Sequence, residues 1–448
     1  HPHDMKAATN EKAIEQLAPP AVVVIPMSMH FGAPCTPLVK AGDHVKVGQK
    51  IGEFHGLGAP IHASVSGTVK AVEPRPYSMG GNITSVVIEN DMQDEVSEEV
   101  QAPADPNALS VEEMVEIVKN AGIVGMGGAT FPTHVKITSG IGKVNTVIIN
   151  GAECEPYITG DHRTMLERPE EIIGGAKFLA KMFGVDKVVI GVEDNKRNGI
   201  DAMNKVIAEQ KAPVVVEPLR CRYPQGGEKQ LCQAITGRQV PPGGLPADIG
   251  CAVFNINTTC AIYRALTTGM PVVRKIVTVS GSGVVEPKNL ECPIGTPVSN
   301  LLDACGGLKD GTYKLIAGGP MMGMAQYTAD ISVAKGTGAI LAFCENEEKT
   351  VENPQCIRCG KCVSVCPMHL EPLFMYQYAS KGMVEELNDA HIMDCMECGA
   401  CSYICPARMH LTHMFKTGKQ LVKDKAAADR AAAEAKKKAE EAKEAAAK

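Results

Sequence analysis

The spacing of apolar residues changes period several times along the chain, and each change marks a different kind of structure. From about Pro20 to Glu89, short valine- and isoleucine-rich runs are broken by Gly42-Asp43, Gly48, Gly52, Gly67 and Gly80-Gly81. That pattern predicts many short strands in a compact β domain. The acidic, polar stretch Asn90 to Asn107 reads as a linker. Beyond it Val111 to Asn120 is amphipathic at helical spacing, Thr146 to Asn150 and Lys187 to Gly191 are apolar runs of buried-strand type, and helical patterns such as Gly175 to Met182 lie between. The alternation predicts an α/β layer. Lys275 to Phe343 returns to strands and turns, with one short helix near Pro297 to Cys305, as in a small α+β module. A helical stretch follows from Pro372 to Asn388. The tail from Lys423 to Lys448 is almost entirely Ala, Lys, Glu and Asp, which favour helix but supply no large apolar stripe, so a frayed, solvent-exposed helix is expected.

Composition narrows the function classes. A chain of 448 residues, 44% hydrophobic, suggests roughly three domains. A formal charge of -6 without a basic block argues against a nucleic-acid partner. The start, His1-Pro2-His3-Asp4-Met5-Lys6, has no apolar core of signal length, and Ala21 to Ile25 is strand-sized. No segment approaches about 18 consecutive apolar residues, so no membrane span is expected.

On either side of the helical stretch Pro372 to Asn388 lie two matching runs, Cys356-x2-Cys359-x2-Cys362-x3-Cys366-Pro367 and Cys395-x2-Cys398-x2-Cys401-x3-Cys405-Pro406. Three thiolates at this spacing wrap one face of a cubane. In two-cluster ferredoxins the fourth, ahead of the proline, reaches the neighbouring cluster. On that pattern Cys356, Cys359, Cys362 and Cys405 hold one [4Fe–4S] cluster, and Cys395, Cys398, Cys401 and Cys366 the other. Paired C-x2-C runs also bind zinc, but zinc needs four ligands and leaves the third and fourth cysteine of each run without a task. Subtracting these eight from 17 cysteines leaves nine without disulfide rhythm, which points to a reducing compartment.

The β domain contains Pro37-Leu-Val-Lys-Ala-Gly-Asp-His-Val-Lys-Val-Gly-Gln-Lys-Ile-Gly52 and Pro60-Ile-His-Ala-Ser-Val-Ser-Gly-Thr-Val-Lys70. These resemble the two halves of a lipoyl-type barrel-sandwich domain. The modifiable lysine such carriers show at a hairpin tip is absent from Glu53-Phe-His-Gly-Leu-Gly-Ala59, so a structural or docking role is expected instead. His30, His44, His55 and His62 read as surface and turn residues.

The α/β part carries Gly122-Ile-Val-Gly125-Met-Gly127-Gly128-Ala-Thr-Phe131-Pro132-Thr133-His-Val-Lys136. A dinucleotide fingerprint requires G-x-G-x-x-G after a strand. Here Thr130 stands where the third glycine belongs, and a helix precedes. What remains is a glycine-rich loop able to bring backbone N–H groups against a phosphate or flavin, with Lys136 supplying charge. Downstream come Asn150-Gly-Ala-Glu153-Cys-Glu155-Pro156, Tyr223-Pro-Gln-Gly226-Gly227-Glu228 and Val253-Phe-Asn255-Ile-Asn-Thr258.

In order and spacing these four segments resemble the flavin-binding subunit of respiratory complex I. With the lipoyl-like start and a paired cluster motif, the chain from His1 to about Lys416 resembles the RnfC family, the C component of the Rnf complexes, which are membrane-bound ferredoxin:NAD oxidoreductases that move Na+ or H+. The resemblance implies a multidomain α/β and α+β fold: a barrel-sandwich domain (1–100), a Rossmann-like FMN/NADH-binding domain (108–270), a β-grasp module (271–345), a helical double-cluster ferredoxin domain (346–416) and the Ala/Lys/Glu tail (417–448). It implies FMN against Gly125, Gly127, Gly128, Lys136, Asn150, Glu153, Tyr223, Asn255 and Thr258, and NAD(H) near Phe131, Glu155 and Glu228. Met126, Ala152 and Gly227 replace charged residues of the complex I motifs, so the flavin's affinity and potential are this chain's own. Gly318-Gly-Pro-Met-Met-Gly323 resembles the β-grasp module of both families, and Met321, Met322 and Met324 read as gap-filling at a domain contact.

The implied activity is hydride exchange between NAD(H) and FMN, followed by single-electron relay through two clusters. The implied setting is the cytoplasmic face of a cell membrane, reached through other Rnf-type subunits that include a ferredoxin-like iron–sulfur protein. Two alternatives stay open at this stage: a soluble flavin and iron–sulfur NADH dehydrogenase, and a ferredoxin-type adaptor without active flavin.

Overall fold

A computed structural model describes residues 2–345 and 351–446, with side chains through residue 438. Contacts divide the chain into two units, His1–Glu348 and Lys349–Lys448. The domain boundary expected between 345 and 346, like the last two residues of the tail, lies outside the described residues.

In the first unit β1 (Ile14–Gln16) is followed by β2 (Val22–Pro26), β3 (Thr36–Pro37), β4 (His44–Val45), β5 (Lys50–Glu53), β6 (Ile61–His62), β7 (Gly67–Pro76) and β8 (Asn82–Asn90). Buried Val23 and Ile25 alternate with half-buried Val22 and Val24, the period-two pattern of a strand with one face on a core. Two small sheets result, ordered β2-β8-β7-β4 and β3-β5-β6. The expected linker after Asn90 is instead a bound strap. Val47 N–H donates to Glu95 C=O (2.8 Å) and Ser97 N–H to Val47 C=O (2.9 Å), while a Cβ on Gly269 would overlap the Gln101 carbonyl at 2.2 Å.

The α/β layer contains α1 (Val111–Asn120), α2 (Thr133–Gly140), β9 (Thr146–Asn150), α3 (Gly160–Glu167), α4 (Pro169–Phe183), β10 (Val188–Glu193), α5 (Arg197–Gln210), β11 (Val214–Leu219), α6 (Glu228–Thr236), β12 (Cys251–Asn255) and α7 (Ile256–Thr268). A capping box starts α1: Ser110 Oγ accepts from Glu113 N–H and the Glu113 carboxylate from Ser110 N–H. β9, β10 and β12 are buried over most of both faces, as strands inside a parallel sheet are, whereas edge strand β11 alternates buried Val214 and Val216 with exposed Val215 and Glu217. They pair in the order β11-β10-β9-β12, all parallel.

A mixed six-stranded sheet completes the unit, from β13 (Arg274–Ser280), β14 (Lys288–Pro293), β15 (Thr312–Ala317), β16 (Met324–Gln326) and β17 (Ala339–Cys344), with α8 (Val298–Ala304) against it. Its sixth strand is β1, parallel to β14 with Ile14 opposite Asn289. Glu291 fixes this edge: its carboxylate takes both terminal nitrogens of Arg168 and the Gln16 amide, with Arg264 at 3.7 Å.

The second unit is helical: α9 (Lys361–Ser364), α10 (Pro372–Ser380), α11 (Val384–Asp389), α12 (Ala400–Ile404) and α13 (Leu411–Ala446). The stretch expected as one helix from Pro372 to Asn388 is two, because Gly382 at φ +66° turns the chain. Met375, Leu387, Ile392, Leu411 and Phe415 form the core. Gly418 lets α13 approach, since a Cβ there would lie 2.6 Å from Ile392 Cδ1. From Lys423 to residue 438 every side chain of α13 is exposed. Among the described residues no helix is long and apolar enough to cross a membrane.

Candidate functional site

The parallel sheet fixes where a ligand can sit. From β9 the chain steps outward to β10 and β11, then crosses to β12 on the other side of β9. Strand order therefore reverses between β9 and β12, and a crevice opens outside the carboxyl ends at such a point. Asn150 and Asn255 end these strands as register partners. Asn150 Nδ2 donates to the Gly226 carbonyl (2.9 Å) and its Oδ1 accepts from Ala152 N–H (3.2 Å), tying the exit of β9 to the turn before α6. Tyr223 stands at the start of that turn, before Pro224. Asn255 caps α7 by accepting from Asn257 N–H (2.9 Å) and donates Nδ2 to Asp161 (2.7 Å).

The glycine-rich loop folds over the same end. Gly125 N–H donates to Phe131 C=O (2.9 Å) and Thr130 N–H to Gly125 C=O (3.1 Å). Thr258 Oγ1 accepts from Met126 N–H (2.9 Å) and donates to Val124 C=O (3.2 Å), fastening the loop to α7. Buried Lys275 donates to the Met126 carbonyl (3.0 Å). Gly127 lies on Asn255, where a Cβ would come within 3.2 Å of its Cβ, and Gly128 sits at φ +134°. Gly127, Gly128 and Ala129 face solvent. A fixed stretch of backbone without large side chains is what a phosphate or flavin edge needs for close approach, so these residues fit FMN.

Lys136 on α2 donates to the Val253 carbonyl (2.9 Å), faces Glu228 at 3.4 Å and lies 5.8 Å from the Phe254 ring centre. Glu228 opens α6 with Gly227 as its cap. A half-exposed pair contributes little stability, so either charge turns to a ligand at small cost.

The acidic turn after β9 divides. The Glu153 carboxylate accepts the Asp161 and His162 amides at the start of α3, and Lys6 approaches at 3.8 Å while donating to the carbonyls of Glu153, Glu155 and Ile158. Burial pushes the Glu153 carboxyl upward against the pull of Lys6. Glu155 is held by the turn between β15 and β16, accepting from Met321 N–H (3.2 Å) and Met322 N–H (2.9 Å). Burial pushes it up to about 7. The methionines thus contribute backbone to this contact. Asp161, Lys6 and Lys275 lie outside every motif read from the sequence; a lone acid at a helix start and two isolated lysines gave no signal.

In the second unit one cavity is lined by Cys356, Cys359, Cys362 and Cys405, and another by Cys366, Cys395, Cys398 and Cys401. Both runs use the same backbone device. Arg358 and Glu397 take positive φ, as do Gly360 and Gly399, and the Arg358 and Glu397 amides each donate to the preceding cysteine Sγ at 3.4 Å. Leu370 N–H does the same for Cys366. The sets differ in exposure: Cys356 and Cys359 are exposed, Cys398 and Cys401 buried. Burial pushes Cys395 up to about 11 and Cys401 up to about 12, so a metal ligated there would have to displace protons. Among the described residues no three His, Cys, Asp or Glu side chains converge on a single ion, whereas a cubane spreads four thiolates around its faces. His30, His44, His55 and His62 are engaged separately, with Cys35, Asp91, Thr36 and the Asn120 backbone.

Four family matches follow this architecture: the RnfC barrel sandwich hybrid domain at residues 1–93, the Nuo51 FMN-binding domain at 118–264, the SLBB domain at 276–325 and the 4Fe-4S dicluster domain at 348–406. Among similar proteins is the C component of the Na(+)-translocating ferredoxin:NAD(+) oxidoreductase complex of Acetobacterium woodii, 45% identical over 88% of this chain and 89% of that one. Its proton-translocating counterpart from Clostridium ljungdahlii is 43% identical over 87% and 86%. A chain of an NAD+-reducing [NiFe]-hydrogenase shares the fold, with TM-score 0.50 and 18% identity over 71% of this chain and 64% of that one.

Proposed function

The chain belongs to the RnfC family of ion-translocating ferredoxin:NAD+ oxidoreductase complexes, and from that premise we propose which of its residues carry electrons between NAD(H) and an iron–sulfur partner. It is an NADH-linked oxidoreductase subunit whose cofactors are FMN and two [4Fe–4S] clusters.

The reading places FMN in the crevice outside β9 and β12. When bound, FMN supplies the conversion between a hydride and single electrons. The protein's part is to hold it. Gly127 and Gly128 offer uncovered backbone, Gly125 closes the loop through Phe131 and Thr130, Lys136 places a cation over the end of β12, and Thr258 keeps the loop on α7. Asn150, Tyr223 and Asn255 define the floor, stiffened by Glu153 through α3. Glu228 at the rim accepts hydrogen bonds from the ribose or amide of NAD(H), and Phe131 offers a ring face. Glu155, implied by the resemblance to stand there too, acts as a positioning residue, since its oxygens are occupied by Met321 and Met322.

Cys356, Cys359, Cys362 and Cys405 ligate one cluster and Cys366, Cys395, Cys398 and Cys401 the other, a reading supported by the two cavities they line. The domains at 1–100, 108–270, 271–345 and 346–416 are read as lipoyl-like, Rossmann-like, β-grasp and ferredoxin-like. The exposed cluster hands electrons to or from a ferredoxin-like subunit of the same complex on the cytoplasmic face of the membrane.

The observation that carries the site is the register pairing of Asn150 with Asn255 at the strand-order reversal, under a loop fastened by Thr258. Anaerobic NADH titration of the isolated chain, followed by flavin absorbance and cluster EPR, tests it. NADH should bleach the flavin and then bring up cluster signals. Flavin that stays oxidised under excess NADH would refute the assignment.

A further inference from the structure

The barrel-sandwich domain leans its hairpin tip on the flavin-binding layer. Phe31 N–H donates to Thr130 C=O in the glycine-rich loop (2.9 Å). The Phe54 ring lies 6.0 Å from that of His134 on α2. Lys335 closes the junction from the third module, donating to Pro60 C=O and Gly122 C=O at 2.7 Å each.

The loops at this tip are rigid. Gly32 has φ +128°, and a Cβ there would overlap the Leu57 carbonyl. A Cβ on Gly58 would meet Phe54 and His30 at 2.7 and 2.8 Å. His30 Nε2 contacts Cys35 Sγ at 3.2 Å, and that sulfur donates to Ala59 C=O.

From this rigid loop Phe31 projects with 59% of its surface exposed. Its ring centre is 6.0 Å from that of Phe131, planes tilted by 37°, within the range of attractive aromatic pairs. Two rings side by side, one of them largely in water, beside the solvent-facing backbone of Gly127 to Ala129 offer an apolar face on which a planar ring can lie.

We propose that Phe31 belongs to the nucleotide site, forming with Phe131 an aromatic face on which a planar ring of the dinucleotide lies. The domain without a carrier lysine thus completes the site of its neighbour. This rests on the NAD(H) reading above. Covering the ring needs no movement of the loop, so the ordering cost falls on the ligand alone. Stacking is tolerant of ring type, so a purine or a nicotinamide serves equally well.

The test uses the flavin- and cluster-loaded chain, prepared anaerobically as wild type, Phe31→Ala and Phe31→Tyr, with ferricyanide as acceptor. Phe31→Ala should raise KM for NADH about tenfold or more, leave kcat and flavin content unchanged, and weaken competitive inhibition by ADP-ribose or by nicotinamide mononucleotide, whichever ring lies there. Phe31→Tyr should restore KM. An unchanged KM in Phe31→Ala, or a loss of flavin in step with activity, would overturn the proposal while leaving the parent reading intact. A wild-type protein that NADH fails to reduce would bring down both.

Discussion

Asn150 and Asn255 stand opposite one another in register at the carboxyl ends of neighbouring parallel strands. Each side chain bonds out of the sheet, one to Gly226 and the other to Asp161. Motifs far apart in the chain thereby converge on one crevice.

The two cysteine sets should load independently. Anaerobically reconstituted protein should contain about eight iron atoms and eight sulfides, four of each per cubane. Cys359→Ser and Cys398→Ser should each remove one EPR signal. Stoichiometric zinc without visible absorbance would be decisive against the cluster assignment.

Lys136→Ala should loosen FMN, because a phosphate or ring oxygen loses a charge-assisted hydrogen bond, worth roughly 1.5 to 3 kcal/mol. Flavin retained per chain after gentle desalting measures this. Retention unaffected by Lys136→Ala and Asn150→Ala together would refute the crevice as the flavin site.

Glu228→Gln should depress NADH-driven ferricyanide reduction and spare cluster reduction by dithionite. The residue opens α6 at the rim and pairs only loosely with Lys136. Parallel loss of both activities would show that it supports the fold instead.

Glu291 gives a pH dependence. Burial works to raise its carboxyl, but the paired hydrogen bonds of Arg168, with Gln16 and Arg264, win and hold it down at about 2. A folded-state value below the unfolded 4.5 means stability that is complete above about pH 4.5 and lost as pH falls toward 2. Glu291→Gln should cost about 3 kcal/mol at pH 7, leaving the partly buried Arg168 without the carboxylate it pairs with. The difference in urea midpoint, followed by tyrosine fluorescence, should shrink below about pH 4.5. A pH-independent difference would mean that shape, not charge, holds this edge.

Local pattern made much of the fold readable. The helix expected at Val111 to Asn120 and the strand at Thr146 to Asn150 have those same ends in the structure, since amphipathic spacing and a β-branched run are properties of the segment itself. The cysteine runs were readable for the same reason. What escaped depends on partners distant in sequence. A three-residue strand such as β1 has no period to detect, and the strap after Asn90 looks like any polar linker until Val47 bonds to it. Glu155 sits in a motif shared with nucleotide-binding relatives, yet its direction is set by backbone amides of Met321 and Met322. Phe31 beside Phe131 is a contact between domains and leaves no trace in either segment.

The pairing of β1 with β14 also sets a timetable for synthesis. Gln16 and Glu291 lie 275 residues apart, and at about 5 to 20 residues per second a ribosome needs roughly 14 to 55 s to bring out the second after the first. Through that interval β7 and β8 can pair as a local hairpin, while β1 remains an open strand edge of the kind that recruits other chains. Lys6 likewise waits for its carbonyl cage until Ile158 has emerged. Translation halted before residue 288 therefore leaves a nascent chain whose leading strand lacks the partner that covers it in the finished fold.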